Sequence, residues 1–413
     1  MPRALRILLL LASIAAAVWA VARMWRGLAN VGAVDFYLVW VNVQVAGRDD
    51  IPNIYADDAQ SSIGEEFFAR ALDSGSRVFH ETATLRRRLD SRGSPFLYAS
   101  FAWVSRDFTT ALMQFRILIL ASCLAGLILL GRYCGFPLWF SIAMFAANVY
   151  FSLPFIADFI VANVNAIQLL LLALALTLGK RHPMLAGALL AMMLAQKPNV
   201  VLVVAVLMLS RILTRDWTRL KQEVLGGAIG GVIAFAIGSW WFETPRIWLL
   251  WLNSAGDLYA TLLGVESNNV TPALSLFQQH GTWISYAIAA VLLVIALIPL
   301  LRGTKRDDLL LVSLGLLIYF MSATLVWLHY LVLCFIPAYA LFRNRIPAAI
   351  GFIALLLMAD VPYAMIYGAT TPELRAKFIF VALVLLYAAC VARLWRGRET
   401  RVPAAGAAHA TPS

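Results

Sequence analysis

The sequence has little charge, few cysteines and no recognisable motif for a nucleotide or a metal. Only 13% of its 413 residues are charged, 62% are hydrophobic, and the mean hydropathy is +0.80. This composition excludes an ordinary soluble globular chain and predicts an all-α membrane protein with several spans. The four cysteines lie in or beside apolar runs, so they indicate neither a disulfide framework nor a metal site. Without a glycine-rich phosphate loop, the chain is not expected to use a soluble nucleotide.

The net charge of +11 raises the question of a nucleic-acid partner. Most lysines and arginines, however, lie in short polar segments between apolar runs and not on one continuous face. Basic residues concentrate in this way in the cytoplasmic loops of membrane proteins. We therefore expect a lipid bilayer around this chain and no nucleic acid bound to it.

About twelve apolar segments are candidates for membrane spans, each of which needs roughly 20 residues. In chain order they are Ala4–Met24, Thr109–Leu130, Pro137–Phe155, Val161–Leu178, Met184–Ala195, Val200–Ile212, Val224–Phe242, Trp283–Leu301, Leu309–Trp327, Tyr330–Phe342, Ile346–Tyr367 and Ala376–Leu394. The fifth and sixth are short and are expected to form a tight pair. The first is expected to be an uncleaved anchor, because no small-residue cleavage site followed by a polar region is visible. With the N-terminus in the cytoplasm, a basic turn follows every second span, which predicts a multi-pass membrane protein.

Two long loops then face outward, and we expect the whole of residues 1–401 to form one membrane domain. The first loop, residues 26–107, holds half of the 22 acidic residues. Its amphipathic pieces, Asp35–Ala46 and Ile63–Leu72, predict interfacial helices along the outer membrane surface. The second loop covers residues 243–281, and the Ala/Gly/Pro/Thr-rich residues 402–413 are expected to be a disordered cytoplasmic tail.

Three ionisable residues stand where spans meet the outer side. Asp35 is a candidate general base, since a carboxylate at the end of a span should face a water-filled or protein-lined cavity. The alternative is an interfacial aspartate that only marks the boundary. Lys197 is a candidate clamp for a lipid phosphate, or else a lysine that snorkels to the interface. His329 is expected to bond the phosphate or orient the base, or alternatively to bond a backbone carbonyl.

Three asparagines on the same side are candidates for substrate contacts. Asn163 and Asn165 open the fourth span, where capping of the span end is the alternative. Asn268 lies in the second outer loop and is expected either to contact a sugar or to form a turn. A further set of acidic residues in the first loop is expected to be solvated; it comprises Asp49, Asp50, Asp57, Asp58, Glu65 and Glu66.

Several local segments occur in a shared order that is typical of one enzyme family. They are Asp35-Phe36-Tyr37, Ser94-Pro95-Phe96-Leu97-Tyr98, Asn163-Val164-Asn165-Ala166-Ile167, Ala186-Gly187-Ala188-Leu189-Leu190, Gln196-Lys197-Pro198-Asn199 and Ser322-Ala323-Thr324-Leu325-Val326-Trp327-Leu328-His329-Tyr330. On these segments the chain resembles the polyprenol-phosphate-mannose-dependent mannosyltransferases of the GT-C superfamily, such as the mycobacterial α-mannosyltransferases that extend phosphatidylinositol mannosides. It departs from their Tyr-Pro-Pro segment by one proline, and Ala323 stands where their proline is usual.

The resemblance implies a GT-C type fold and a membrane glycosyltransferase without cofactor or metal, located in the bacterial inner (plasma) membrane with its active site facing outward. Asp35 would be the catalytic base, His329 would match the catalytic histidine, and Tyr330 would follow it as a substrate contact. The donor would be a polyprenyl-phosphate hexose, with mannose expected, and the acceptor a hydroxyl of a glycolipid or glycan at the outer membrane face. The transfer would invert the anomeric carbon. Two alternatives stay open, a transporter or flippase of a lipid-linked intermediate and a ligase or polymerase of glycan repeat units.

Overall fold

The computed structural model describes residues 2–28, 30–262, 282–301, 307–323, 325–359 and 372–396. Within these ranges the regular elements are helices, as the composition predicted. The α-helices are α1 (Arg3–Leu28), α2 (Val34–Val45), α3 (Asp57–Asp73), α4 (Arg77–Leu85), α5 (Pro95–Ala99), α6 (Phe108–Cys134), α7 (Leu138–Phe151), α8 (Leu153–Val161), α9 (Asn165–Leu178), α10 (Pro183–Gln196), α11 (Val201–Leu213), α12 (Trp217–Trp241), α13 (Ile247–Leu262), α14 (Thr282–Leu301), α15 (Asp308–Ser322), α16 (Phe335–Phe342), α17 (Arg345–Leu357) and α18 (Pro372–Arg396). Two 3-10 helices, Pro198–Val200 and Leu328–Cys334, precede α11 and α16.

Five of the described helices are long and apolar enough to cross a membrane, namely α1, α6, α12, α14 and α18. Large apolar side chains lie on their outer surfaces; Leu8, Val18 and Val232 are each more than 60% exposed. Apolar surface of this extent is unfavourable in water and is solvated by lipid chains. The chain is therefore a helical membrane protein, as predicted.

The expected number of about twelve spans stays a prediction. Together α8 and α9 have the length and composition of a sixth span, bent by 114° at their junction. The predicted third span, Pro137–Phe155, is wrong as one helix because the chain breaks at Ser152. The Ser152 hydroxyl accepts a hydrogen bond from the Phe155 amide, and Pro154 lies in the first turn of α8. A serine cap followed by proline starts a new helix, so α7 and α8 are separate.

The first outer loop contains α2 to α5, so helices in this loop are confirmed. Most residues of α2 are buried, and it packs among α4, α5, α6 and α8. Its expected position along the outer membrane surface stays a prediction. Its sequence between Asp35 and Val45 is apolar on nearly every side, and such a helix is stable only when it is surrounded. The aromatic residues Phe36 and Trp40 therefore pack against other rings in the interior.

The short helices α10 and α11 do not form the expected tight pair. Instead α10 packs along α12, and α11 packs along α15. Glycines bring α10 and α12 into backbone contact. A Cβ at Gly187 would overlap the Glu223 carbonyl, and a Cβ at Gly226 would overlap the Met184 carbonyl. Small residues permit this close approach of helices within a bilayer.

A buried ionic network joins α11, α12 and α15 at the side predicted to be cytoplasmic. Arg211 pairs with Glu223 at 2.9 Å and with Asp308 at 2.7 Å, and Arg219 pairs with the same two carboxylates at 2.9 and 2.6 Å. The Arg211 and Glu223 side chains are almost fully buried. Each charge therefore has partners of opposite sign, which buried charges require.

Arg116 of α6 ties together the two backbone segments that carry the candidate site. Its Nη2 donates to the Val31 carbonyl at 2.8 Å and to the Ile160 carbonyl at 3.4 Å, and its guanidinium lies 5.1 Å from the centroid of the Phe159 ring. Val31 precedes α2, and Ile160 precedes the break after α8. These contacts fix the guanidinium between α6 and the two segments.

Candidate functional site

Six of the predicted site residues meet at one place, although they come from four separate parts of the chain. We call them the polar cluster. They are Asp35 in the first turn of α2, Asn163 and Asn165 at the break between α8 and α9, Lys197 after α10, and His329 and Tyr330 in the second 3-10 helix. Hydrogen bonds and ring contacts join these side chains, so the structure brings together what the sequence analysis had singled out one by one.

The Asp35 carboxylate is partly enclosed by groups from other elements. Its Oδ2 accepts a hydrogen bond from Asn163 Nδ2 at 2.6 Å and lies 3.6 Å from His329 Nε2. Its Oδ1 lies 3.8 Å from Arg86 Nη2. The side chain keeps 25% of its exposure, so the carboxylate stays accessible. An aspartate that only marked the membrane boundary would not need these partners.

The break between α8 and α9 presents Asn163 to the cluster. Ala162 adopts a left-handed conformation with φ of +52°, which costs a non-glycine residue roughly 1–2 kcal/mol. The strain is offset locally, because the Asn163 amide donates to the Asp158 carbonyl at 3.1 Å. Asn163 Oδ1 in turn accepts from the Val164 amide at 2.7 Å. The asparagine is thus held between helices, and its Nδ2 is left to face Asp35.

Lys197 points into the polar cluster and does not snorkel away from it. Its Nζ donates to Asn163 Oδ1 at 3.0 Å and to Asn165 Oδ1 at 3.3 Å, and it lies 3.8 Å from the centroid of the Tyr330 ring. Lys197 itself falls between α10 and the first 3-10 helix, outside the candidate spans. Burial lowers the pKa of its ammonium, while the carboxylates of Asp35 and Asp158 act in the opposite direction. An ammonium with mostly neutral oxygen ligands can still take a phosphate as a further partner.

His329 completes the cluster beside Asn163, near the same oxygen of Asp35. Its Nε2 lies 3.3 Å from Asn163 Nδ2, and its ring meets the Tyr330 ring edge-on at 5.0 Å. The Trp327 ring lies parallel to it at 6.4 Å. These rings hold the imidazole beside the carboxylate, where it can donate to Asp35 or to a bound anion according to its protonation state.

Two charged residues at this site were not predicted from the sequence. Asp158 of α8 is completely buried, and its Oδ1 accepts from Asn165 Nδ2 at 2.7 Å. Arg86 directly follows α4. Its Nη1 donates to both carboxylate oxygens of Asp90 at 3.0 Å, and its Nη2 lies 3.8 Å from Asp35 Oδ1. Asp158 fell between two predicted spans, and an acidic residue so close to apolar runs was the available signal. Arg86 is the first of three consecutive arginines, and nothing in the sequence distinguishes it from the other two.

The other candidate residues stand apart from the cluster or outside the described ranges. The Asp50, Asp57 and Glu65 side chains are more than half exposed, as expected for solvated groups. Glu66 is less exposed and pairs with Arg48. Asn268 and the tail of residues 402–413 lie outside the described residues.

The arrangement joins an accessible carboxylate, a partly buried ammonium and an imidazole through two asparagines. Among the residues that the structure describes, no group of three or more His, Cys, Asp or Glu side chains is placed to hold a metal ion. No family model, no curated protein and no solved structure matches this chain, so the likeness to GT-C mannosyltransferases rests on its motifs alone.

Proposed function

We propose that this protein is a membrane glycosyltransferase. It moves a hexose, with mannose as the expected sugar, from a polyprenyl-phosphate donor to a hydroxyl group of a glycolipid or glycan. The observation that carries the proposal is the contact of Asp35 with Asn163 and His329, beside the ammonium of Lys197. Transfer of this kind needs a base for the acceptor proton and a cation for the leaving phosphate. The polar cluster offers both within one network.

In the proposed reaction the acceptor oxygen attacks the anomeric carbon of the donor. The bond from that carbon to the phosphate oxygen breaks, and its electron pair stays with the polyprenyl phosphate, which gains one negative charge. The hydroxyl proton passes to Asp35. A single displacement inverts the anomeric carbon, so a β-linked donor yields an α-linked product.

The residues around Asp35 act on two different groups, the catalytic base and the leaving phosphate. Asn163 donates to one carboxylate oxygen, which fixes the orientation of the base. Lys197 and His329 supply donors to the side where the phosphate charge grows. A charge that develops near a preorganised ammonium is stabilised without reorganisation of water, and this is the main electrostatic contribution expected from the site.

The test is transfer by the purified protein in liposomes. Synthetic polyprenyl-phosphate mannose, glucose and galactose are supplied separately with a lipid extract as acceptor, and the glycolipid product is measured by mass spectrometry. We expect transfer from one of these donors and loss of transfer in Asp35→Asn. Absence of product from every donor, with a protein that melts cooperatively, would contradict the proposal. Transfer from diphosphate-linked repeat units alone would identify the ligase or polymerase alternative.

A transporter of lipid-linked sugars is the second candidate, and one observation favours it. The sixth candidate span is broken and bent by 114° at the polar cluster, and discontinuous spans commonly form the binding sites of transporters. The same liposomes separate the two functions. Movement of a fluorescent polyprenyl-phosphate sugar between leaflets, without any change in its covalent structure, would favour the transporter.

The proposed orientation places the cluster on the outer side of the membrane. Arg77 in α4 is 89% exposed and is expected outside, and Lys221 in α12 is exposed and is expected inside. Position 221 is chosen because the neighbouring Arg219 takes part in the buried ionic network, which a cysteine at 219 would disrupt. Single cysteines at positions 77 and 221, in a background with Cys134→Ser, are treated with a membrane-impermeant thiol reagent in intact spheroplasts. Labelling at position 221 but not at 77 would reverse the orientation.

A further inference from the structure

We propose that Asp158 is a positioning residue of the polar cluster: it fixes the amide orientation of Asn165, supports that of Asn163 through Asn165, and shares the charge of Lys197 with Asp35. The inference rests on the proposed function for its kinetic consequence, although its electrostatic part stands without it. The hydrogen bonds that connect Asp158 to Asp35 pass through the two asparagines.

The first link is the pair of Asp158 and Asn165. The Asn165 amide nitrogen lies 2.7 Å from Asp158 Oδ1. In its ionised form Asp158 only accepts hydrogen bonds, which requires this orientation of the Asn165 amide. Both side chains are completely buried. With Nδ2 turned to Asp158, Asn165 Oδ1 faces the opposite way, and it accepts from Lys197 Nζ at 3.3 Å.

The second link is Asn163. Its Oδ1 accepts from Lys197 Nζ at 3.0 Å, from Asn165 Nδ2 at 3.2 Å and from the Val164 amide at 2.7 Å. Three donors on one oxygen leave no alternative orientation for this amide, because a flipped nitrogen would face all three. Asn163 Nδ2 is therefore directed to Asp35 Oδ2 at 2.6 Å. Asp158 contributes to this orientation through Asn165, whose Nδ2 is one of the three donors to Asn163 Oδ1.

The third link is charge. One asparagine separates the Lys197 ammonium from each of two carboxylates: Asn163 connects it to Asp35, and Asn165 connects it to Asp158. The other titratable groups at the cluster are His329, Tyr330 and, beyond Asp35, Arg86. A buried charge is stable only with an opposite charge or strong hydrogen bonds. Because Asp158 supplies one of the two negative charges, Asp35 is not required to neutralise Lys197 alone.

Asp158 also serves the fold, since its Oδ2 accepts from the Ala166 amide at 3.3 Å at the start of α9. A purely structural cap and a positioning residue predict different results. Asp107 offers a matched control, because it accepts from the Thr110 amide at the start of α6 and lies on the exposed surface. Asp158→Asn and Asp107→Asn both keep an oxygen acceptor for the helix amide.

The first experiment measures Lys197 and needs no enzymatic activity. The protein in detergent is acetylated at a series of pH values, and modification of Lys197 is quantified by peptide mass spectrometry. Removal of one negative neighbour disfavours the ammonium, so Asp158→Asn is expected to lower the pH midpoint by about one unit. Asp107→Asn is expected to leave it unchanged. An unchanged midpoint in Asp158→Asn would overturn the inference whatever reaction the protein performs.

The second experiment is a double-mutant cycle on turnover with the polyprenyl-phosphate donor. Misplacement of reacting groups by a fraction of an ångström is expected to lower kcat by about ten- to hundredfold in Asp158→Asn, with little change in the donor KM. Asn165→Ala is expected to lower kcat by a similar factor. The double variant is expected to have the same kcat as either single variant, because Asp158 and Asn165 act through the same chain of hydrogen bonds. Multiplying effects would overturn the inference in favour of separate structural roles.

Failure of the inference on Asp158 can be distinguished from failure of the proposed function. Wild-type kcat in Asp158→Asn together with loss of turnover in Asp35→Asn overturns this inference and leaves the proposed function in place. Undiminished turnover in Asp35→Asn overturns the proposed function and the kinetic part of the inference together. If Asp158→Asn does not accumulate, Asp158→Ser, which keeps a hydroxyl acceptor for the Ala166 amide, is used in both experiments.

Discussion

Replacing Asp35 by asparagine tests the proposed reaction most directly. Asparagine has nearly the same shape, and its Oδ1 can still accept the hydrogen bond that Asn163 Nδ2 now donates to the carboxylate at 2.6 Å. It cannot take a proton from an acceptor hydroxyl at any useful pH. The change therefore removes the base and keeps the packing.

The size of the effect follows from the surroundings of Asp35. Loss of a general base lowers the rate by about 100- to 10,000-fold, or about 3–5 kcal/mol in the barrier. Stability should change little, because the side chain is 25% exposed and its contact with Arg86 is long at 3.8 Å. Such a pair contributes about 0–1 kcal/mol. Donor binding should persist, since Lys197 keeps its hydrogen bonds to Asn163 and Asn165 and the Asp158 carboxylate behind Asn165.

The assay is turnover of synthetic polyprenyl-phosphate mannose by wild type and Asp35→Asn, with a thermal melt of each in detergent. Asp57→Asn is the control, because Asp57 is 75% exposed and 3.5 Å from Arg88. We expect near wild-type turnover for the control and a melting temperature within about 3 °C of wild type for both variants. If Asp35→Asn melts normally and turns over within a few-fold of wild type, Asp35 is not the base and the proposed mechanism is refuted.

The remaining predictions concern the phosphate site and the helix packing. Lys197→Ala is expected to lower kcat/KM for the donor by about 100-fold or more, and unchanged donor kinetics would remove it from the site. Glu223→Gln should destabilise the protein by about 3–5 kcal/mol in a melt, because it breaks a buried ionic network. Glu81→Gln, which breaks an exposed pair, should have almost no effect, and equal effects would contradict the argument. Gly226→Ala should cost about 1–3 kcal/mol through overlap with the α10 backbone. Gly231→Ala, with open space around it, should be neutral or more stable by up to about 1 kcal/mol, and a similar loss in both would refute the close-packing explanation.

Much of the polar cluster could be predicted because ionisable residues have few favourable places beside apolar runs. Lys197 and His329 each stand at the edge of a predicted span, Asp35 lies in the outer loop after the first one, and the structure brings all three within one network. Their partners Asn163 and Asn165 were also predicted. Which atom faces which could not be predicted, because 128 residues separate Asp35 from Asn163 and 166 separate Asn163 from His329.

Asp158 shows why part of the site could not be predicted from the sequence. It lay in the gap between two predicted spans and resembled a residue of a solvated turn. The structure continues the chain there as α8 and buries the carboxylate completely. That outcome depends on the left-handed turn at Ala162, a residue whose side chain gives no sign of such a conformation.

Which helices pack against each other likewise could not be predicted from local sequence patterns. The sequence predicted short helices before and after Lys197, and both are present. Their adjacency in the chain suggested that they pair with each other, whereas α10 packs on α12. Gly187, Gly226 and Gly230 make that choice possible, because backbone contact requires glycines at matching heights on two helices. A single sequence shows the glycines but not which of them face each other.

By itself the sequence determined that this chain is a helical membrane protein, because its apolar content leaves lipid as the only suitable surroundings for its long helices. It also determined which ionisable residues stand at the ends of apolar segments. Only the tertiary structure decided that α2 is buried, that Ser152 divides a predicted span, and that Asp158 and Arg86 belong to the site. The physical reason is the range of the interactions. Composition and helix starts act within a few residues, whereas a buried carboxylate or a hydrogen-bonded amide is defined by partners far away in the chain.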